Sequence, residues 1–439
     1  MKNSSKQILN KLISFSIPLI LSGLLQQLFN WVDALIVGNI IGETALAGVG
    51  ATSSVYNLFV TVIVGFTSGL SVLFAQQYGS GRHDENTKLL ENYVIILTFV
   101  FVVISALGMI FTVPLLNLMD TPEKLFNEAA DYLFIIFTGI PFLAVYNTYS
   151  AALRGIGNSK VPFMAVLISS VTNVVLDYVF IVFCNLGVGG AAAATSVSQI
   201  TMTVYVVIYT VIKYPELRFS PFKINIYSKN IKSGAKYSIP PAVQSSVTSV
   251  GNVFLQRFMN GFGEQTVAAI TTAYRVDTVL LLPIINLSTA ISTLVAQQTG
   301  AGNKEDAEKI FRLGTVLMSV MSLILTVVII LTGKNLLSIF GLSKEAVSIG
   351  ETFFKTIAVF YIFNGLAMSI KGYLEGMADM LFSGAAGIAS LAVRIMCSYL
   401  FAGLWDNMVV AYAEAFSWIF LVLVFGLRFI YFYRKTKNV

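Results

Sequence analysis

The chain has 439 residues, of which 56% are hydrophobic and only 11% are charged, and its mean hydropathy is +0.79. Soluble domains carry about 25% charged residues, so this composition excludes a soluble globular protein and indicates an integral membrane protein. The net charge of +6 does not indicate a nucleic-acid-binding protein, because Lys and Arg lie mainly in short segments between apolar runs rather than on one basic face.

Twelve apolar runs are long enough to cross a bilayer, which takes about 20 residues in a helix. Gly, Pro and charged residues separate these runs, and several exceed the length that a perpendicular helix needs. The sequence therefore predicts an all-α integral membrane protein. The predicted spans are residues 13–40, 48–78, 90–117, 125–153, 160–184, 190–212, 234–260, 266–298, 310–333, 346–373, 382–403 and 408–432.

The basic residues predict the orientation of the chain. With the N-terminus inside, most Lys and Arg fall on the cytoplasmic side, whereas the opposite loops hold only Lys124, Lys334 and Lys344. Cytoplasmic loops carry an excess of Lys and Arg, so we expect a multi-pass protein of the plasma (inner) membrane with both termini in the cytoplasm.

The chain also contains an internal repeat. "SIPLILSGLLQQLFN" at 16–30 recurs as "SIPPAVQSSVTSVGN" at 238–252, and "FAQQYGSGRHDE" at 74–85 recurs as "VAQQTGAGNKED" at 295–306. Because each half has six spans, an even number, both enter the membrane in the same orientation. This predicts two six-helix lobes related by a parallel pseudo-twofold axis, a plan of many transporters, with a central cleft between them. The predicted lobes are residues 1–212 and 233–439, joined by a polar cytoplasmic linker at 213–232.

Two carboxylates interrupt the apolar spans of the first half. Asp33 lies within "LFNWVDALIVGNIIG", and Asp177 lies four residues after Asn173 on one helical face. Ionisable residues within a membrane usually face protein or water and often have a role. Counting residues from the inner side puts both acids at similar depth, where they could hold a proton or Na⁺, a hard cation that prefers oxygen ligands.

The second half lacks these polar residues. Its equivalent positions are Leu255 or Phe254 for Asp33, Arg394 for Asn173 and Ser398 for Asp177. A pair needed only to hold the fold should occur in both halves, so this asymmetry favours a function for Asp33 and Asp177.

The sequence resembles a known family in "SIP", "DALIVGNIIG", "AQQYGSG", "ALRGIGNSK", "NVVLDYVFI" and "GVGGAAAAT". These motifs are similar to those of the multidrug and toxic compound extrusion (MATE) transporters, in particular their DinF-like bacterial branch, and the resemblance runs over the whole chain. It implies a twelve-helix, cation-coupled antiporter that exports organic, cationic or amphiphilic compounds. It further implies a cation site in the first half, carried over to Asp33, Asn147, Asn173, Asp177 and Thr195.

The resemblance implies no cofactor, with H⁺ or Na⁺ as the coupling ion and Na⁺ bound, if at all, at Asp33 and Asp177. The expected partners are a small organic substrate and the lipid bilayer, with no nucleic acid, and we expect a monomer.

Further residues of the spans are candidates for function. Among the charged residues of the second half we expect most to be paired or to reach the interface, with Asp277 and Arg394 the exceptions, at substrate or coupling contacts. Pro18 and Pro240 are predicted to kink their helices.

Two other functions are compatible with parts of the sequence. The wider superfamily that the chain resembles includes flippases for lipid-linked saccharides. The twelve spans and the acidic site in the first half argue against a flippase function. A membrane-embedded enzyme is disfavoured because no HExxH, GxSxG or P-loop motif occurs and the one histidine, His83, lies in a polar turn.

Overall fold

A computed structural model describes residues 4–219 and 227–437. In this part of the chain the regular structure is helical throughout, which confirms the predicted all-α fold. The α-helices are α1 Ser5–Ile36, α2 Glu43–Gly79, α3 His83–Ile110, α4 Thr112–Leu118, α5 Glu123–Ile136, α6 Ile140–Gly155, α7 Lys160–Tyr178, α8 Gly187–Lys213, α9 Ser228–Met259, α10 Glu264–Gly300, α11 Lys304–Ile339, α12 Lys344–Ala358, α13 Tyr361–Gly376, α14 Met380–Leu400, α15 Ala402–Trp405 and α16 Val409–Lys437.

Ten helical segments of the described chain are long and apolar enough to cross a membrane, or eleven if α12 and α13 form one span bent by 50°. The remaining predicted span, 234–260, coincides with α9. This helix of 32 residues is also long enough, at about 1.5 Å per residue. Its first turns carry Lys229, Lys232 and Lys236, which lower its mean hydropathy.

Three predicted spans are interrupted rather than continuous. The span at 90–117 comprises α3 and α4, which meet at Phe111. The span at 125–153 comprises α5 and α6, joined by the 3₁₀ turn Phe137–Gly139. The span at 346–373 comprises α12 and α13 with the 50° bend. Hydropathy averaged over a span does not report such breaks, because each contains apolar residues such as Phe111, Phe137 and Phe360.

The backbone repeats itself with the period found in the sequence. Ten of the eleven described residues with positive φ form pairs 221 positions apart, all but Gly187, and these ten lie in the turns that follow helices. This correspondence shows that the two halves share their turns as well as their sequence motifs. The pairs are Gly42 with Gly263, Gly81 with Gly302, Asp120 with Gly341, Gly157 with Ala378, and Asn185 with Asp406.

The chain forms two compact units whose boundaries fall inside α1 and α9. One unit is Leu21–Ala242, and the other combines the chain up to Ile20 with the chain from Val243 onward. The division into lobes at 1–212 and 233–439 stays a prediction from the sequence repeat, and residues 220–226 of its linker lie outside the described residues.

In the unit Leu21–Ala242, α6 packs against α2, α3 and α8, and α7 packs along α8. The first turns of α9 also belong to this unit. Tyr93 donates a hydrogen bond to the Ile231 carbonyl at 2.7 Å, and Tyr237 donates to Gln76 Oε1 at 2.7 Å. This packing positions α7 and α8, which carry most of the candidate site.

In the other unit, α13 packs against α10, α11 and α16, and α14 packs along α16. The first turns of α1 belong here. Lys11 Nζ donates to Gln297 Oε1 at 3.2 Å, and Gln297 lies 221 residues after Gln76. The unit Leu21–Ala242 thus contains the first turns of α9, which is the first helix of the second half. The other unit contains the first turns of α1, which is the first helix of the first half.

Candidate functional site

The side chains of Asp33 and Asp177 lie within hydrogen-bonding reach of one another. Asp33 lies one turn before the end of α1, and Asp177 lies near the end of α7 and is fully buried. Among the described residues, no N–H or O–H group donates to either carboxylate oxygen of Asp177 or to Oδ1 of Asp33. Two carboxylates are acceptors only, so a hydrogen bond between them requires a proton on one of them.

Each acidic residue is followed by a π-helical turn. Val37–Ile41 continues α1, and Val179–Phe183 continues α7. The two turns pack against each other, and both also pack against α8. A π turn inserts one extra residue into a helix and occurs frequently at functional sites. The local backbone beside the two carboxylates is therefore irregular on both helices.

Asn173 and Thr195 also contact each other in this region. Asn173 Nδ2 donates to Thr195 Oγ1 across α7 and α8 at 3.4 Å. Asn173 is buried and lies one turn before Asp177, whereas Thr195 is half-buried. The structure thus brings together Asp33 with Asp177 and Asn173 with Thr195.

Asn147 has a different described environment. It is buried on α6, and its Nδ2 donates to the Leu143 carbonyl of its own helix at 2.9 Å. This bond to the preceding turn leaves the amide oxygen as the group that Asn147 could offer to a ligand.

Three residues that the sequence did not single out surround the acidic pair. Tyr56 and Tyr132 lie close enough to Asp33 for its charge to act on them. Gln199 Nε2 donates to the Tyr56 hydroxyl at 2.6 Å. A signal for Gln199 was available, because it follows Thr195 by four residues and therefore shares its helical face. No feature of the sequence distinguishes Tyr56 and Tyr132 from the other tyrosines of the chain, which has 19 in total.

Gly139 makes room for Gln199. A Cβ atom at this position would lie 2.2 Å from Gln199 Oε1 and 3.2 Å from the Ser196 Cα atom. The 3₁₀ turn that interrupts the α5–α6 span therefore allows α8 to approach closely, and it lets Gln199 reach Tyr56.

The other unit contains a second polar cluster, which includes both predicted residues: Asp277 is buried, and the side chains of Arg394 and its partner Glu414 are 17% and 10% exposed. Arg394 Nη2 donates to Glu414 Oε2 at 3.0 Å and to the Tyr274 hydroxyl at 2.7 Å. Tyr361 donates its hydroxyl proton to Asp277 Oδ1. Arg394 is thus paired, although it was predicted as an exception. Two other ion pairs of this half are Lys355 with Glu351 at 2.7 Å and Lys371 with Glu375 at 3.6 Å.

Pro18 lies inside α1, and Pro240 lies inside α9 beside Pro241. Both helices run on past their prolines, and the kinks stay a prediction. In the described part of the chain, no group of three or more His, Cys, Asp and Glu residues is placed to hold a metal ion. A bound cation in the first half would therefore need amide and hydroxyl oxygens beside the two carboxylates.

Comparison with known proteins decides the family. The profile of the MatE family matches residues 18–179 and 240–400, one match in each half of the repeat. The chain belongs to the MatE family. The DinF-like branch stays a prediction within it.

Relatives of this MatE protein cover most of its length. The "Probable multidrug resistance protein YpnP" of Bacillus subtilis (strain 168) is 31% identical over 376 residues, covering 85% of this chain and 84% of that protein. The "Probable multidrug resistance protein YoeA" of the same organism is 27% identical, and the match covers 97% of this chain and 94% of that protein.

A solved structure has the same fold as this MatE chain. It is the outward-facing conformation of a multidrug resistance MATE family transporter of the MOP superfamily. The two match with a TM-score of 0.92 and 20% identity over 100% of this chain and 98% of that one. At this identity the match establishes the fold and does not extend to substrate or coupling ion.

Proposed function

We propose that this protein is a proton-coupled antiporter that exports organic compounds by alternating access. Membership of the MatE family and relatives named as multidrug resistance proteins support export of organic compounds. The observation that carries the coupling is the approach of half-buried Asp33 and fully buried Asp177, because two carboxyl groups within hydrogen-bonding reach hold a proton between them.

The proton changes the stability of this pair. With the proton bound, one carboxyl donates to the other and the pair carries one negative charge. Without it, two like charges repel each other in a poorly hydrated site. A ligand shifts a conformational equilibrium only through different affinities for the two conformations. We infer that the conformation with the carboxyls together is the protonated one, and that loss of the proton favours their separation.

The direction of transport follows from the energy source. Inward movement of one positive charge is favoured by about 2.3 kcal/mol per 100 mV of membrane potential. A proton that enters from outside through the Asp33–Asp177 pair can therefore drive a neutral organic compound outward. In a one-for-one exchange with a cation such as ethidium the two charges cancel, and the pH difference supplies the energy.

Sodium is the other candidate for the coupling ion. The oxygens that could bind it are those of Asp33, Asp177, Asn173 and Thr195, together with the amide oxygen of Asn147, and hard cations prefer such ligands. The Asn173–Thr195 hydrogen bond occupies part of this set, and the close carboxyl pair needs no ligand beyond a proton. We therefore propose H⁺ rather than Na⁺.

The test is efflux of a fluorescent organic cation, ethidium, from proteoliposomes under separately imposed proton and sodium gradients. The wild-type protein is expected to respond to the proton gradient. Asp33→Asn and Asp177→Asn are expected to reduce efflux to the level of protein-free vesicles, because the amide cannot exchange a proton. Asp131→Asn is the control, because Asp131 is exposed on α5. Proton-driven efflux by Asp33→Asn, or efflux driven by sodium alone, contradicts the proposal.

A further inference from the structure

Asp277 is a buried carboxyl in the half of the protein that lacks the acidic pair. It lies on α10 with 3% of its surface exposed. Its Oδ1 accepts a hydrogen bond from the Tyr361 hydroxyl of α13. The bond fixes one oxygen of the carboxyl but brings no positive charge to it.

The nearest positive charge is already paired. Arg394 is bound to Glu414 at 3.0 Å, and its other described bond is to the Tyr274 hydroxyl at 2.7 Å. The cluster therefore holds two acids, Asp277 and Glu414, and one base. A buried unpaired charge is costly and tends to be neutralised.

Charged groups on the surrounding helices do not supply the missing charge. On α12, Lys355 is bound to Glu351 at 2.7 Å. On α13, Lys371 lies beside Glu375 at 3.6 Å. Arg275, two residues before Asp277 on α10, is exposed and does not share its face. The charged residues of α11 lie toward its two ends. Within the described chain, the charges that act on Asp277 are those of Glu414 and Arg394.

The cluster lies at positions equivalent to those of the first site. Asp277 follows Tyr56 by 221 residues, and Arg394 follows Asn173 by 221 residues. Tyr56 is one of the residues beside Asp33, and Asn173 is the partner of Thr195. Both halves thus place polar groups at the same points of the repeat, but the acids come from different helices.

We propose that Asp277 is a second proton-binding carboxyl, which gains and loses its proton independently of Asp33 and Asp177. In the neutral form the proton sits on Oδ2, because Tyr361 already donates to Oδ1, and the Arg394–Glu414 pair remains closed. Use of this proton in transport rests on the proposed function, whereas its presence at Asp277 does not.

Infrared difference spectroscopy of the purified full-length protein, recorded between acidic and alkaline pH, tests this inference. A protonated carboxyl has a C=O stretching band separate from those of carboxylates and amides. In an Asp33→Asn/Asp177→Asn background, the bands of the first pair are removed. Further substitution of Asp277→Asn is expected to remove one remaining protonated-carboxyl band. A spectrum unchanged by Asp277→Asn overturns the proposal.

Two further variants make the result specific. Asp379→Asn is the control, because both carboxylate oxygens of Asp379 accept hydrogen bonds from the Arg428 guanidinium, at 2.7 and 3.2 Å, so this substitution should leave the band unchanged. Tyr361→Phe keeps the carboxyl but removes its donor, and is expected to shift the band to higher frequency. Should Asp277→Asn fail to fold, an unshifted band in Tyr361→Phe overturns the proposal. Efflux by Asp33→Asn tests the proposed function separately.

Discussion

Asp33 and Asp177 lie near the ends of α1 and α7, and each is followed by a π-helical turn. Asp33 and Asp177 stand out because burial of a charge costs more than burial of any other side chain, and the structure brings them together. Tyr56, Tyr132 and Gln199 surround them without standing out, because tyrosine and glutamine occur in membrane helices for many structural reasons. Which residues face a given carboxyl depends on how helices far apart in sequence pack.

The Arg394–Glu414 pair gives a prediction for single residues. Removal of one partner from a buried ion pair costs about 3–5 kcal/mol. Arg394→Gln is expected to reach this range, because it leaves Asp277 and Glu414 without a positive charge. Glu414→Gln should cost less, because Asp277 can then release its proton and balance the charge of Arg394. The measurement is the midpoint of thermal unfolding in detergent.

The double variant Arg394→Met/Glu414→Leu provides the control for that pair. Replacement of both partners by apolar groups is often neutral or stabilising, so the double variant should be more stable than Arg394→Gln. Equal losses in all three variants would show that the pair contributes through packing rather than charge.

Glycine or charge at the end of an apolar run indicates where two helices are separated but not where each begins, since α2 and α3 start at Glu43 and His83, five and seven residues before the predicted 48 and 90. Gly42, Gly81 and Gly263 separate helices at the predicted places. The π turns after Asp33 and Asp177 were not predicted, because an inserted residue leaves the apolar pattern almost unchanged. The bend between α12 and α13 was missed because the residues at it, Val359 and Phe360, are apolar.

The turns after α6 and α13 have the same geometry but different residues at their left-handed position. Both are Schellman-type helix ends, with Asn158 N–H donating to the Leu153 carbonyl and Asp379 N–H donating to the Leu374 carbonyl. The left-handed position is Gly157 in one and Ala378 in the other, with φ of 94° and 70°. A residue with a Cβ costs roughly 1–2 kcal/mol in this conformation.

Reciprocal substitutions test this cost. Ala378→Gly is expected to raise the midpoint of thermal unfolding, and Gly157→Ala is expected to lower it, each corresponding to about 1 kcal/mol. Gly261→Ala, at a position where an added Cβ would meet no atom within 4 Å and where φ is not positive, should leave the midpoint nearly unchanged. A loss of stability in Ala378→Gly would contradict the strain inferred for this turn.

For the molecule as a whole, the sequence predicts the number and order of helices well because the bilayer imposes both their length and their apolarity. The repeat adds a second constraint, and the shared positions of positive φ agree with it. The boundaries of the two compact units, which fall inside α1 and α9, could not be predicted, because hydropathy does not indicate which helices pack against each other.

The predicted parallel arrangement of the halves determines which loops face the cytoplasm. Single cysteines are introduced at the exposed residues Lys124, Lys160, Lys304 and Lys344 in a background that lacks Cys184 and Cys397, and intact cells are treated with a membrane-impermeant maleimide. Lys124→Cys and Lys344→Cys are expected to react, because excess positive charge marks the opposite, cytoplasmic side. Lys160→Cys and Lys304→Cys should react only after permeabilisation. Each half contributes one residue to each side of the membrane. If the repeat were inverted, Lys304→Cys would be labelled in intact cells and Lys344→Cys only after permeabilisation.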